Sequence, residues 1–371
     1  MSMHLNLELS NYRMAPNEKV SQKSSIASWG IPFALAIYLV YYIISGEAED
    51  EKTAPESKTE VAPSTPISPQ PNPALATKAP IEPVAPAISA PIVPIAQVKT
   101  SPTEIPLMGS LKPPEGFPAI LKVGQTEQEM RWVKPGKFIM GSPESESYRR
   151  KWENQHAVTI TEGYWLGKYE VRQKDWIAMG MENPSHFKGP DHPVEKITWE
   201  EAMEFCKNLN QKVAPSLNLP EGYYFRLPTE AEWELSCRAG TTSASYFGED
   251  MSSEQANFDG RSPLGFARKA VHRKSTMPAG SFEANSWGFH DMHGNVWEWC
   301  LDHWRELPTK EQFNPQAQSP LANSRYRVIK GGSWYVKGWE CRSTSRQALK
   351  PATRYNVGIG MRVALARKLP H

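Results

Sequence analysis

Cysteine is scarce in this 371-residue chain, with four in all, at positions 206, 237, 300 and 341. That count does not define a disulfide framework. A surplus of either charge is also lacking, since 42 Lys and Arg stand against 40 Asp and Glu for a formal net charge of +2. No basic run interleaves with aromatics, so nothing builds a nucleic-acid groove. There is no internal repeat of roughly 20 to 50 residues, which argues against a solenoid or propeller. His186, His192 and His272 are too scattered for a facial iron triad. No Ser, His and Asp set has the context of a nucleophile elbow.

Proline and tryptophan are plentiful and unevenly placed. There are 33 prolines, and all but one of the 13 tryptophans lie beyond residue 130. Residues 26–45 carry no charge over twenty positions, which at about 1.5 Å per residue spans the roughly 30 Å of a bilayer core. They read as one transmembrane helix with Trp29, Tyr38, Tyr41 and Tyr42 toward its ends; a cleaved signal peptide is the alternative. Residues 1–25 form a tail, expected on the cytoplasmic side. Residues 46–114, with Pro63, Pro66, Pro69, Pro71 and Pro73 in succession, hold too little apolar surface to fold. They read as a disordered, semi-extended linker of about 3.1 Å per residue where polyproline II forms.

Residues 115–371 read as one folded domain with short strands, Gly and Asn turns, and at least three helices. Residues 198–213 carry a capping box in Thr198 and Glu201, with Ala202, Phe205, Cys206 and Leu209 on one face. Residues 229–238 repeat the device with Thr229 and Glu232, and Gly240 is a stop. Residues 171–179 predict a third helix.

Several motifs follow one another through this domain: Phe138-Ile139-Met140-Gly141-Ser142, Tyr169-Glu170-Val171, Pro193-Val194-Glu195, Arg226-Leu227-Pro228-Thr229-Glu230-Ala231-Glu232-Trp233, Ala256-Asn257-Phe258-Asp259-Gly260, Gly294-Asn295-Val296-Trp297-Glu298-Trp299, Gly331-Gly332-Ser333-Trp334 and Gly360-Met361-Arg362-Val363. In this order they resemble the formylglycine-generating enzyme family, the sulfatase-modifying-factor domain. The resemblance implies an irregular α+β fold of the C-type-lectin type and bound calcium.

Asn295 and Glu298 are hard oxygen donors three apart, and Val296 adds a carbonyl between them. From the residues alone, Glu298 reads more readily as a partly buried carboxylate paired with a nearby arginine; the resemblance favours calcium. It also implies a second calcium site at Asn257 and Phe258, whose expected downstream aspartate has no counterpart around residues 270–274. Family members that make formylglycine hold copper through two thiolates separated by four residues, soft ligands suited to Cu(I). After Ser333 this chain has only Cys341, so copper is not expected. The resemblance instead pairs Cys341 with Cys237 in a structural disulfide, consistent with an oxidising compartment. Cys206 reads as a small buried hydrophobe, and Cys300 has no evident partner. His290 and His293 read as structural, hydrogen-bonding histidines.

The expectation is therefore a membrane-anchored extracytoplasmic domain, its C-terminal part in a bacterial periplasm, that binds a protein, peptide or glycan around Trp334, Tyr335, Trp339 and Tyr355. The alternatives are an enzyme acting by other chemistry on a periplasmic or secreted substrate and a hypervariable display protein.

Overall fold

The structure is a computed structural model that describes residues 110–126, 128–315, 325–354 and 357–368. The tail, the apolar run 26–45, the linker as far as residue 109, and Tyr355 lie outside the described residues. The described residues fall in one compact unit, Ala96–His371. Among them no helix is long and apolar enough to cross a membrane.

Three small sheets carry the fold. The first runs β1 (Ile120–Val123), β2 (Gln128–Val133), β5 (Tyr164–Gly167), β12 (Ala364–Arg367) and β6 (Tyr223–Arg226), antiparallel throughout. Its central strand β5 is buried along its whole length, as expected of a strand covered on both faces. The second runs β10 (Arg346–Leu349), β9 (Arg327–Lys330), β7 (Trp297–His303) and β11 (Ile359–Met361), with β11 parallel to β7. The third joins β3 (Gly136–Met140), β4 (His156–Ile160) and the short β8 (Gln312–Phe313). Strands from distant parts of the sequence thus pair inside an irregular α+β fold, in mixed sheets.

The helices form where the capping residues place them. Helix α1 is Gln173–Ala178, α2 is Trp199–Lys212, α3 is the single turn Ala214–Leu217 and α4 is Glu230–Arg238. On α2 the Thr198 hydroxyl accepts from the Glu201 amide at 3.1 Å, and the Glu201 carboxylate accepts from the Thr198 amide at 2.9 Å. Its predicted face of Ala202, Phe205, Cys206 and Leu209 is buried. Helix α4 has the same reciprocal cap and ends at Arg238, where Ala239 takes the left-handed conformation (φ 46°) just ahead of Gly240.

Every residue of α4 is buried, including Glu230, Glu232, Glu234 and Arg238. Burial of charge on this scale requires partners. Glu232 takes Arg226 in two bonds of 2.7 Å, Glu230 takes Arg346, and Glu234 takes both Lys330 and Arg238 at 3.1 Å. On β7, Glu298 takes Arg362, and neither side chain is exposed. These pairs tie α4, β6, β7, β9, β10 and the segment before β12 into one frame.

Removing one partner of such a pair strands a buried charge. Glu298→Ala is expected to destabilise the domain by about 3–5 kcal/mol, against at most about 1 kcal/mol for Arg354→Ala, whose partner Glu201 is at the surface. Urea unfolding of the two variants checks the contrast.

Candidate functional site

Three of the sequence motifs close on one another by backbone hydrogen bonds. The Gly294 amide donates to the Gly331 carbonyl at 2.7 Å, the Asn295 amide to the Asn257 carbonyl at 2.7 Å, and the Trp334 amide to the Asn295 carbonyl at 2.9 Å. The glycines are needed for this closeness. Gly294 and Gly332 have φ of 87° and 80°, and a Cβ on them would overlap the Asn257 carbonyl and Cys341 Sγ respectively.

Asn295, at φ 62°, is the junction. Its Nδ2 donates to Glu170 Oε2 at 2.6 Å and to the Met277 carbonyl, while its Oδ1 accepts from the Met277 amide at 2.9 Å and Asn257 Nδ2 at 3.0 Å. The Val296 amide donates to Glu170 Oε1. Glu298 accepts from Arg362 through Nη2 at 2.7 Å and Nε at 3.0 Å, and from Trp233 Nε1 at 2.7 Å. These contacts favour one of the two readings of Glu298. It is a buried carboxylate paired with an arginine, and a cation bound by Asn295 and Glu298 would have to displace that arginine. The set Asn295, Val296 and Glu298 therefore does not fit calcium. At the second set the position differs: Asn257 Oδ1 is buried and has no hydrogen-bond partner, so Asn257 and Phe258 retain an acceptor suited to a hard cation.

Around Arg362 the charges do not balance. Glu170 and Asp291 join Glu298 near a single guanidinium; burial, with the mutual repulsion of these carboxylates, raises Glu170 well above the usual range and Asp291 to about 6. Burial lowers His293 to about 4. Its Nε2 accepts from the Tyr246 amide at 3.1 Å, so its Nδ1 carries the proton and donates to the Cys341 carbonyl at 2.7 Å. His290 Nδ1 lies 2.8 Å from the Phe282 carbonyl. Both histidines serve structure, as their turn context suggests.

The four cysteines are free and buried, so the expected Cys237–Cys341 bond is corrected here to two thiols. The physical reason is their separate engagements: Cys237 Sγ lies 3.6 Å from Ser343 Oγ and 3.9 Å from His293 Nε2, whereas Cys341 Sγ faces the Lys337 carbonyl at 3.8 Å. Burial pushes the Cys237 thiol up to about 12 and the Cys341 thiol well above its ordinary value, so neither is a ready thiolate. Five positions before Cys341, where a thiol separated from it by four residues would stand, is the buried Val336.

The expected binding residues separate into two groups. Trp334 is partly buried, its Nε1 donating to the Val357 carbonyl at 3.0 Å and its ring meeting Phe187, His272 and Tyr335. Tyr335 packs beside it against the core. Trp339 instead stacks on Tyr148, with centroids 4.7 Å apart and planes 11° off parallel. Tyr148 was not legible as a site residue, because its partner lies almost two hundred positions downstream. A second residue not legible in sequence is Glu195. Its Oε1 accepts from the His186 and Phe187 amides, its Oε2 is buried without a partner, and burial raises its carboxyl to about 7.

Residues 117–367 match the sulfatase-modifying factor enzyme 1-like domain. The chain is 33% identical over 211 residues to chaperone protein LppX of Paenibacillus barcinonensis, covering 48% of this chain and 71% of that protein. It is 28% identical over 190 residues to the formylglycine-generating enzyme of Mus musculus, covering 46% of each, so it spans about half the length of that enzyme. Among solved structures, Treponema denticola variable protein 1 superposes with a TM-score of 0.54 at 26% identity, over 67% of this chain and 98% of that one.

Glu195 generates a pH prediction. A carboxyl whose pKa rises on folding holds more protons folded than unfolded, so its contribution to stability is full below the unfolded value of 4.5 and is lost as pH rises through about 7. Glu195→Gln, which keeps the acceptor for the two amides, is expected to flatten the fall in stability across that window and to raise the melting temperature at pH 8. Thermal melts from pH 4 to pH 8 on both proteins check it.

Proposed function

Because the chain belongs to the sulfatase-modifying factor enzyme 1-like family, we propose that it uses the family's fold as a binding module for an extracytoplasmic protein, peptide or glycan, and not for copper-dependent formylglycine formation. The observation that carries this reading is the state of the segment after Ser333. A copper oxidase of this kind needs two thiolates converging on one Cu(I), whereas here the segment offers one buried thiol, held protonated by its surroundings, with the apolar Val336 at the paired spacing. Aromatic side chains occupy the surface beside it, and large, rigid aromatics are efficient contact residues. In this reading residues 26–45 anchor the domain in a bacterial inner membrane and residues 46–114 hold it away in the periplasm.

A display role is the second reading, favoured by the similarity to a protein named as variable in Treponema denticola. It uses the same surface and the same frame. Calcium belongs to the proposal only at Asn257 and Phe258, supported by the unpartnered Asn257 Oδ1.

Two measurements test these statements. The full chain, incubated with copper, oxygen and a cysteine-containing sulfatase peptide, is expected to leave the peptide mass unchanged; formylglycine in the product would overturn the binding reading. Elemental analysis of the purified chain is expected to find calcium and to find it lost in Asn257→Ala, with circular dichroism in chelator confirming that the variant is folded. Equal calcium in both proteins would remove the ion from that site.

A further inference from the structure

Residues 183–189 form a loop whose two ends meet on one atom. Asn183 Nδ2 and the Gly189 amide both donate to Gln173 Oε1, at 2.8 and 3.2 Å, so a neutral side chain closes the neck of a compact surface loop. The crown is held differently. Gln173 Nε2 donates to the Phe187 carbonyl at 2.7 Å, but the His186 and Phe187 amides both donate to Glu195 Oε1, and the Glu195 amide donates to Ser185 Oγ at 3.1 Å. Held in this way, the Phe187 ring stands edge-on to Trp334, with centroids 5.3 Å apart and planes at 88°.

Glu195 is wholly buried and its two oxygens are unequal, Oε1 having two amide donors and Oε2 none. Ionised there, the carboxylate leaves charge on an oxygen that meets neither water nor a donor, which is costly; protonated, it keeps the two bonds at Oε1 and carries no charge. Lys196 beside it and Lys188 on the loop both favour the ionised form, and burial outweighs them. From α1 the loop is met by the neutral Gln173. On the far side, the His272 ring stacks on Trp334 at 6.1 Å and its Nδ1 lies 3.6 Å from Asp259.

We propose that residues 183–189 are a proton-controlled lid over Trp334, closed while Glu195 is protonated and opened when it ionises. The lid rests on the binding reading above only in making Trp334 a contact residue. Opening lets water reach Oε2 and returns the carboxyl toward its ordinary value of 4.5, whereas the closed lid holds the proton up to about 7. The closed form therefore binds more protons. Closure is full below 4.5, weakens as pH rises from 4.5 to 7, and changes no further above that.

The test is hydrogen exchange on the full chain at pH 5 and pH 8, corrected for the intrinsic pH dependence of amide exchange, with oxidative footprinting of Trp334 by mass spectrometry. Protection of residues 183–189 is expected to fall by at least about tenfold between the two pH values, to lie below that of α2 and α4 at both, and to fall together with a rise in Trp334 oxidation. Trp233, fully buried, is expected to stay unmodified. Glu195→Gln, which keeps the acceptor for the two amides and cannot ionise, should hold the lid closed at both pH values. Phe187→Ala should leave Trp334 open to oxidation at both, and melting temperatures confirm that each variant is folded. Lid protection independent of pH overturns the proposal, as does the same pH dependence in Glu195→Gln, which would assign the proton to another group such as His272. Lid protection equal to that of α2 and α4 also overturns it, because the loop would then open only when the whole domain unfolds. None of these outcomes touches the binding reading, and formylglycine in the peptide assay would overturn that reading while leaving the lid in place.

Discussion

The arginine–carboxylate pairs inside the domain are the constraint on which the rest of the structure depends. Arg226, Arg342, Arg346 and Arg362 are among its largest fully buried side chains, and each has a carboxylate partner. Such pairs are poor sources of net stability, because removing two ions from water costs about as much as their attraction returns. What they supply is geometry. A bidentate guanidinium accepts only a narrow range of positions from its partner, and these pairs link segments with few other reasons to meet. Glu298 and Arg362 are 64 residues apart, and Arg342 and Glu153 are 189 apart. In a domain of short strands and frequent turns, that directional bonding does the work that long regular elements do elsewhere.

This explains which parts of the sequence were legible. The helices were, because their information is local: Thr198 with Glu201 and Thr229 with Glu232 lie three residues apart, and the apolar face of α2 repeats at helical spacing. The family was legible because its motifs follow one another along the chain. The partner of a charged residue was not. Glu298 looks the same in sequence whether it faces a metal ion or a guanidinium, and only the fold brings Arg362 to it. The same limit applies to Cys237 and Cys341, to Glu195, and to Tyr148, whose neighbour Trp339 was singled out without it.

The Gly and Asn residues of the signature are explained by close approach and need no appeal to catalysis. Gly294 admits the Asn257 carbonyl, Gly332 admits Cys341, and Asn295 spends all its polar atoms joining Glu170, Met277, Asn257 and Trp334. A motif that identifies the family can thus be accounted for by packing, so its presence says little about which chemistry a member performs. That question falls to the side chains the motif supports.

Those side chains lie on a part of the structure that can change without disturbing the frame. Arg342 holds the carbonyls of Tyr148 and Trp339 and leaves their rings to be chosen independently. A backbone carbonyl is common to every residue type, so other side chains at these two positions would still offer Arg342 the same acceptors, although few would tolerate the φ of 63° at position 148 as well as Gly or Asn. A tyrosine held at that angle is therefore a departure from what the backbone prefers, and what it returns to the fold is the stack of its ring on Trp339, which offsets part of that cost.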